Sequence, residues 1–96
     1  MSKTIFIAGK VSGLPENQVK EKFSRAAEEL AMMGYKVVSP ASLYEREKSW
    51  EDVTRDNIRY MLECDEVHLL PCWQESRGAQ LERDIAIRLG MQVIYH

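Results

Sequence analysis

Glu82 is the first candidate for chemistry in this sequence because of the residues that precede it. It lies in the stretch ESRGAQLERD (75–84), where the turn-forming triplet Ser-Arg-Gly comes before a helix-like run. In the first turn of a helix the dipole stabilises an ionised carboxylate, which suits a nucleophile or an electrostatic stabiliser better than a proton donor. The alternative is structural: Ser76 would be only the N-cap, and Glu82 only a surface acid that complements the dipole. Position alone leaves both interpretations open.

Asp56 is a second carboxylate at a position that needs an explanation. On a helical wheel it falls beside Val53 and Asn57, so it borders an apolar, inward-facing stripe instead of the fully solvated side. A carboxylate at this border can belong to a site. Taken by itself, Asp56 is better explained as paired with Arg55, with Arg59 or with a backbone group at the rim of the helix.

Two glycine-containing loops could supply the polar groups of a binding site. At the second loop, the backbone N–H groups of the helix start, together with Gly78 and the Ser76 hydroxyl, favour an anion such as phosphate. In the first loop, GKVSGLPE, Gly9 would let a substrate approach the backbone, with Lys10 and Ser12 as donors. The same residues also suit an ordinary strand-to-helix turn. The sequence contains neither a GxGxxG fingerprint nor a P-loop pattern, which excludes those two classes of nucleotide site.

Apolar patterning predicts strands and helices that alternate along the chain. Continuous apolar, β-branched segments predict buried strands, and apolar residues at helical spacing predict helices. The predicted strands are 4–8, 35–38, 66–71 and 92–95, and the predicted helices are 17–33, 50 to about 65, and 79–89. Ser49 is expected to cap the second helix.

This order of elements decides the fold class. Strands separated by helices are joined by crossovers, which are right-handed, so the sheet must be parallel and covered by helices. We therefore predict a single α/β domain over residues 1–96: a Rossmann-like, three-layer domain with a four-stranded parallel sheet of order 2-1-3-4 and three helices. The ligand crevice of such a sheet lies where the strand order reverses, here between the first and third strands. The loops 9–16 and 72–78 meet there.

The composition limits which cellular compartment and which classes of partner are expected. The formal net charge of the 96 residues is -2 and no basic cluster dominates a segment, so no nucleic-acid polymer is expected as a partner. The apolar run at the N-terminus is too short for a signal peptide or a membrane span, which predicts a cytoplasmic protein. Cys64 and Cys72 lack the number and spacing of a zinc or redox motif and are expected to be thiols. The sequence indicates no metal site and no cofactor, and the exposed edges of a small sheet favour a homo-oligomer.

Three segments together resemble the nucleoside 2-deoxyribosyltransferase-like superfamily. They are IAGKVSGLPE near the N-terminus, the Asp-containing stretch TRDNIRYMLECDEV, and SRGAQLE, which precedes the last helix and strand. Within the superfamily, the likeness is to a small and mostly uncharacterised branch from bacteriophages and bacteria. It spans residues 3–95.

The resemblance implies a role for each matching residue. Glu82 would attack C1′ of a deoxyribose and form a covalent glycosyl-enzyme intermediate, which another base or water then releases. Asp56 would contact the sugar or the base and assist departure of the leaving group. Ser76 lies six residues before Glu82, the spacing at which relatives that hydrolyse nucleoside 5′-monophosphates bind the phosphate. The glycine after the first strand would lie against the substrate, with its polar neighbours as phosphate or sugar contacts.

Two features depart from the pattern of the superfamily. Its enzymes usually have a Tyr near the end of the first strand that positions the nucleophile, whereas this sequence has Phe6, which cannot hydrogen-bond Glu82. The sequence also ends at His96, directly after the fourth strand, whereas characterised relatives continue with a segment that often completes a neighbouring subunit's site. Part of the pocket is therefore expected to be missing.

Three aromatic residues complete the set of candidates. Trp50 and Trp73 occupy crevice-side loop positions, which suit stacking on a nucleobase and equally suit packing at the rim or in a subunit contact. His68 lies mid-strand and is expected to be a hydrogen-bonded core residue.

The leading hypothesis is an enzyme that binds a nucleoside or nucleotide and cleaves or transfers its N-glycosidic bond. Hydrolysis of a deoxynucleoside 5′-monophosphate is favoured over base exchange because of Ser76. The alternative is a non-catalytic nucleotide-binding or sequestering module that kept the crevice, as Phe6 would allow. A third hypothesis is a structural homo-oligomer without a ligand.

Overall fold

A computed structural model describes residues 3–45 and 47–96 as strands and helices that alternate along the chain. The strands are β1 (Thr4–Ala8), β2 (Lys36–Val38), β3 (Glu66–Leu69) and β4 (Gln92–Tyr95). The helices are α1 (Glu16–Met32), α2 (Trp50–Leu62) and α3 (Arg77–Arg88), with short 3₁₀ turns at Ala41–Leu43 and Trp73–Glu75. Within the described ranges, no helix combines the length and the apolar character needed to cross a membrane.

The four strands form one parallel sheet in the order β2-β1-β3-β4. β1 lies inside the sheet, with Ile5 opposite Val37 of β2 and Glu66 of β3. β4 completes the sheet beside β3, where Val93 lies opposite Val67. The predicted α/β fold, with its strand order and its three helices, is confirmed.

Successive side chains of each strand point to opposite faces of the sheet, and a hydrophobic cluster lies on each face. On one face, Phe6 and Ala8 of β1 pack with Met61 near the end of α2 and with Ala79 and Ala86 of α3. The cluster on the other face, which is covered by α1, consists of Ile5, Ile7, Val19, Phe23, Leu30, Leu43 and Leu70. The sheet is thus the middle of three layers, and α2 and α3 lie side by side on one of its faces.

Serine side chains cap the two helices that share this face. The Oγ atom of Ser49 accepts a hydrogen bond of 3.1 Å from a backbone N–H three residues on, which confirms the predicted cap of α2. Ser76 Oγ likewise accepts from the N–H of Ala79 at 3.1 Å. α3 therefore begins at Arg77, earlier than the predicted start at residue 79. As a result, Glu82 lies in the second turn of α3 and not in the first.

His68 is part of a buried polar chain on β3. Its Nε2 atom is 3.1 Å from Glu66 Oε1, and its Nδ1 atom is 2.8 Å from His96 Nε2. Lys3 donates to the other Glu66 oxygen at 2.7 Å, which holds the pKa of the Glu66 carboxyl below its ordinary value. The prediction that His68 is a hydrogen-bonded core residue is confirmed.

The close packing around Gly9, at the end of β1, predicts how a larger residue at this position would change stability. A Cβ atom at this position would lie 3.2 Å from both Leu70 Cβ and Phe23 Cζ, which is closer than packed carbon atoms normally approach. We expect Gly9→Ala to lower the free energy of unfolding by about 1–3 kcal/mol, as overpacking of a core does. Chemical denaturation measures this difference.

Gly78→Ala is the matched control for Gly9→Ala. A Cβ atom at Gly78 would approach nothing more closely than Trp50 Nε1, at 3.9 Å, and the residue lies within α3. Alanine should therefore leave stability unchanged or raise it by up to about 1 kcal/mol. Equal effects of the two substitutions would contradict the packing argument.

Candidate functional site

A cavity of about 490 Å³ opens at the carboxyl end of β1, between the first halves of α2 and α3. We call it the Glu82 cavity. Its volume lies within the usual range for small-molecule sites, and its walls come from the loop after β1, the segment between β2 and α2, and the two helices. Among the predicted site residues, those that line it are Gly9, Lys10, Ser12, Ser76, Gly78 and Glu82. Residues 72–78 and 9–16 therefore converge as expected, and the segment after β2 joins them.

Glu82 is the most deeply buried charged group of the cavity wall. It is only 3% exposed, and burial raises the pKa of its carboxyl to about 8. This result differs from the expectation that the helix dipole keeps the acid ionised. The dipole acts mainly within the first turn of a helix, and Glu82 lies beyond it, so desolvation dominates.

Asn57, a polar side chain of α2, counteracts the rise of the Glu82 pKa that burial causes. Hydrogen bonding from Asn57 to Glu82 lowers the pKa of the carboxyl, although by less than burial raises it. Asn57 is itself buried, and its Oδ1 accepts from the backbone N–H of Ala41 at 2.6 Å while its Nδ2 donates to Ser42 Oγ at 2.8 Å. Glu82 on α3 is thus connected through α2 to the segment that follows β2.

The start of α3 gives the cavity the features of an anion site. Ser76 Oγ uses a lone pair to cap the helix, so the hydroxyl hydrogen can still be donated to a ligand. The first backbone N–H groups of a helix have no acceptor within the helix, and the dipole is positive at this end. Lys10 and Arg77 line the same cavity, so cationic side chains stand near these donors.

Trp50 forms part of the wall beside this helix start. The guanidinium carbon of Arg77 lies 3.8 Å from the centre of the Trp50 ring, which is the geometry of a cation–π contact. Gly78 leaves room for the indole, whose Nε1 atom would be 3.9 Å from a Cβ at that position. Trp50 therefore connects the beginnings of α2 and α3 and presents an aromatic surface to the cavity.

Asp56 lies outside the Glu82 cavity. Its carboxylate pairs with Lys48 at 3.0 Å and with Arg59 at 2.9 Å, and its side chain is 17% exposed. The hydrogen bond from Lys48 is the main reason that the pKa of Asp56 is lowered. The structure thus has the ion-pair arrangement at the helix rim, with Arg59 as a partner. Lys48 itself lines the cavity, so Asp56 adjoins the site through a cation.

Trp73 also lies away from the cavity. It packs against the cluster under α2 and α3, its ring centre is 5.7 Å from that of Tyr95 on β4, and the Arg83 guanidinium is 5.1 Å from the Trp73 ring centre. Of the two tryptophans, only Trp50 is in position to contact a ligand in the Glu82 cavity.

Sequence reasoning missed several polar residues of the cavity wall. Among the residues that the structure describes, they are Ser42, Glu45, Lys48, Thr54, Asn57, Glu75 and Arg77. A signal for Asn57 was present, because it follows Val53 by four residues on the buried side of the helical wheel. Ser42 and Lys48 lie in a polar loop without a periodic pattern, and no local signal marks them.

The residues described by the structure offer no obvious site for a metal ion. Among 3–45 and 47–96, no group of three or more His, Cys, Asp or Glu side chains is arranged to hold one. Cys64 is buried, Cys72 is exposed, and both are free thiols as predicted.

The chain belongs to the family described as a domain of unknown function, DUF4406, whose family model matches residues 3–95. No curated protein matches it. The family covers nearly the whole fold, including every element that contributes to the Glu82 cavity.

The burial of Glu82 predicts a pH dependence of stability. The ordinary pKa of 4.5 applies to the unfolded chain and a pKa of about 8 to the folded one, so the unfolded state loses its proton first as the pH rises. The contribution of Glu82 is fully present below about pH 4.5, falls by about 1.4 kcal/mol per pH unit, and is lost by about pH 8.

Denaturation of the wild-type protein and of Glu82→Gln at several pH values measures this contribution. Subtracting one free energy of unfolding from the other removes the effect of the titrating groups that the two proteins share. We expect the stability of the wild type relative to the variant to fall steadily from pH 5 to pH 8. A difference that stays constant over this range would show that the carboxyl titrates normally.

Proposed function

We propose that the protein binds a nucleoside or nucleotide in the Glu82 cavity and cleaves or transfers its N-glycosidic bond. Membership of the nucleoside 2-deoxyribosyltransferase-like superfamily is part of this proposal and rests on the resemblance of the three sequence segments. The observation that carries it is a buried carboxylate, Glu82, lining a cavity of about 490 Å³ beside a helix N-terminus and cationic side chains. Perturbed acids in clefts are typical of catalytic groups.

The proposed reaction has two steps, and each exchanges one bond. A carboxylate oxygen of Glu82 bonds to C1′ of the sugar while the C1′–N bond breaks and its electron pair leaves with the base. Water then attacks C1′, the bond to Glu82 breaks, and the carboxylate is restored. One proton of the water ends on the base and the hydroxyl stays on the sugar. A second base in place of water would give transfer instead of hydrolysis.

A deoxynucleoside 5′-monophosphate is the substrate that best fits the surroundings of Glu82. The Ser76 hydroxyl and the start of α3 favour a phosphate, and Arg77 and Lys10 add positive charge. Trp50 offers an aromatic surface for the base. These groups and Glu82 line one cavity.

Asp56 contacts no substrate in this proposal. It holds Lys48 at 3.0 Å, and Lys48 belongs to the cavity wall. Its contribution would be to fix the position of that cation. The role that the resemblance implies for Asp56, assistance to the leaving group, would thus be carried out through Lys48.

A second candidate function is binding without chemistry. The pKa of about 8 leaves Glu82 mainly protonated at neutral pH, and Phe6, which is fully buried, brings no hydroxyl to the site. A protonated carboxyl can donate a hydrogen bond to a base or a sugar but is a poor nucleophile. A nucleotide-binding or sequestering module would have these properties.

Base release measured by chromatography tests the catalytic proposal. We expect the wild-type protein to release free base from deoxynucleoside 5′-monophosphates faster than from the nucleosides, and Glu82→Gln to lose roughly 10²-fold or more of this rate. Glu28→Gln, on the exposed side of α1, is the matched control and should keep the rate. Tight nucleotide binding by wild type and Glu82→Gln, with no base release by either, would favour the binding module.

The pH dependence of the rate tests the ionisation of Glu82. Attack requires the carboxylate, so kcat/KM should rise up to tenfold per pH unit below the Glu82 pKa of about 8 and level off above it. The range from pH 7 to 9 is suitable because the substrate phosphate, with a second pKa of about 6, is already fully ionised there. A rate that is flat or falls across this range would contradict the assignment of Glu82 as the nucleophile.

A further inference from the structure

Asn57 is a buried polar side chain of the Glu82 cavity to which the proposed reaction gives no task. It is 5% exposed, and it lines the cavity from α2 opposite the α3 residue Glu82. Burial of an amide is unfavourable unless its polar atoms find partners. The partners of Asn57 therefore define what it does.

The hydrogen bonds of Asn57 fix which way its amide points. A backbone N–H can only donate, so the atom 2.6 Å from Ala41 N must be the amide oxygen. The nitrogen then lies on the other side, where it donates one hydrogen to Ser42 Oγ at 2.8 Å. An amide nitrogen carries two hydrogens, so one remains.

We infer that Asn57 is a positioning residue that directs this second hydrogen to the carboxylate of Glu82 and thereby holds the nucleophile in the cavity. The role of Asn57 in catalysis rests on the proposed function. A neutral donor suits this task because it orients the carboxylate without adding an opposite charge. Asn57 also occupies a lone pair of Ser42, so the Ser42 hydroxyl hydrogen points elsewhere and is available to a ligand.

The environment of Glu82 supports this arrangement. Of the causes that perturb its titration, hydrogen bonding from Asn57 is the one that favours the ionised form, against desolvation by burial. Within 3–45 and 47–96, the other charged side chains that line the same cavity are Lys10, Glu45, Lys48, Glu75 and Arg77. Asn57 has an amide hydrogen left over, and it lines the same cavity as the buried Glu82 carboxyl, so it can supply the neutral donor that the carboxylate needs.

Nuclear magnetic resonance of the wild-type protein tests the contact without altering it. Between pH 6 and 10, one of the two Asn57 side-chain amide hydrogens should shift with the same midpoint as the Glu82 carboxyl carbon. This shift should disappear in Glu82→Gln. An Asn57 amide that does not follow Glu82, or that titrates equally in Glu82→Gln, would overturn the inference.

Substitution of Asn57 provides the second test. Asn57→Leu keeps the approximate shape and removes the donor, so the pKa of Glu82 should rise by about 1 or more. The midpoint of the kcat/KM profile should rise with it. Ser42→Ala leaves the bond to Ala41 N and the donor to Glu82 in place, and it should leave the Glu82 pKa unchanged. An unchanged Glu82 pKa in Asn57→Leu would overturn the inference, and if this variant does not fold, the wild-type titration decides alone.

These measurements separate the inference from the proposed function. If the wild-type protein releases no base but the Asn57 amide titrates with Glu82, the proposed reaction fails and the contact stands as a structural one. If base release depends on Glu82 but the Asn57 amide hydrogen does not shift as Glu82 titrates, only the positioning role fails.

Discussion

The burial of the Glu82 carboxylate is the constraint on which the rest of the site depends. An acid that is 3% exposed and has a pKa of about 8 costs stability whenever it is ionised, so the fold has to compensate for it or tolerate its protonation. The surroundings do both. Asn57 offers a neutral hydrogen-bond donor, and burial keeps the carboxyl protonated well above its ordinary pKa. A burial that opposes stability is the arrangement expected of a functional group.

α2 organises the cavity although the sequence signals centre on α3. Through Asn57 it connects the segment after β2 to Glu82, and through Asp56 it holds Lys48 in the cavity wall. Trp50, at its first position, packs against Arg77 and Gly78 at the start of α3. The cavity therefore lies between two neighbouring helices, and the segments that follow β1 and β2 complete its walls.

The fold could be predicted because its determinants are local. Continuous apolar strands, serine caps and right-handed crossovers predicted the element order and a parallel sheet without any information on distant contacts. The strand order 2-1-3-4 came with the assignment to the Rossmann-like class. The residues that converge on the cavity from the loops after β1 and β3 followed from the same topology.

The features of the site that the sequence did not predict depend on contacts between segments or on small differences in the direction of a side chain around a helix. The cap at Ser76 starts α3 early enough to remove Glu82 from the first turn, which changed its expected ionisation. One step along α2, about 100° on the helical wheel, separates Asp56 at the rim from Asn57 in the cavity. Trp73 follows Cys72, whose φ of 73° turns the chain, and its ring packs near Tyr95 away from the cavity.

Trapping of a covalent intermediate tests the central claim most directly. A deoxynucleotide analogue with fluorine at C2′ slows the breakdown of a glycosyl-enzyme because it destabilises positive charge on the sugar. Mass spectrometry of the protein after incubation should show the added mass of the sugar phosphate, and peptide mapping should locate it on Glu82. An adduct on another residue, or base release from the natural substrate without any adduct at Glu82, would contradict the account.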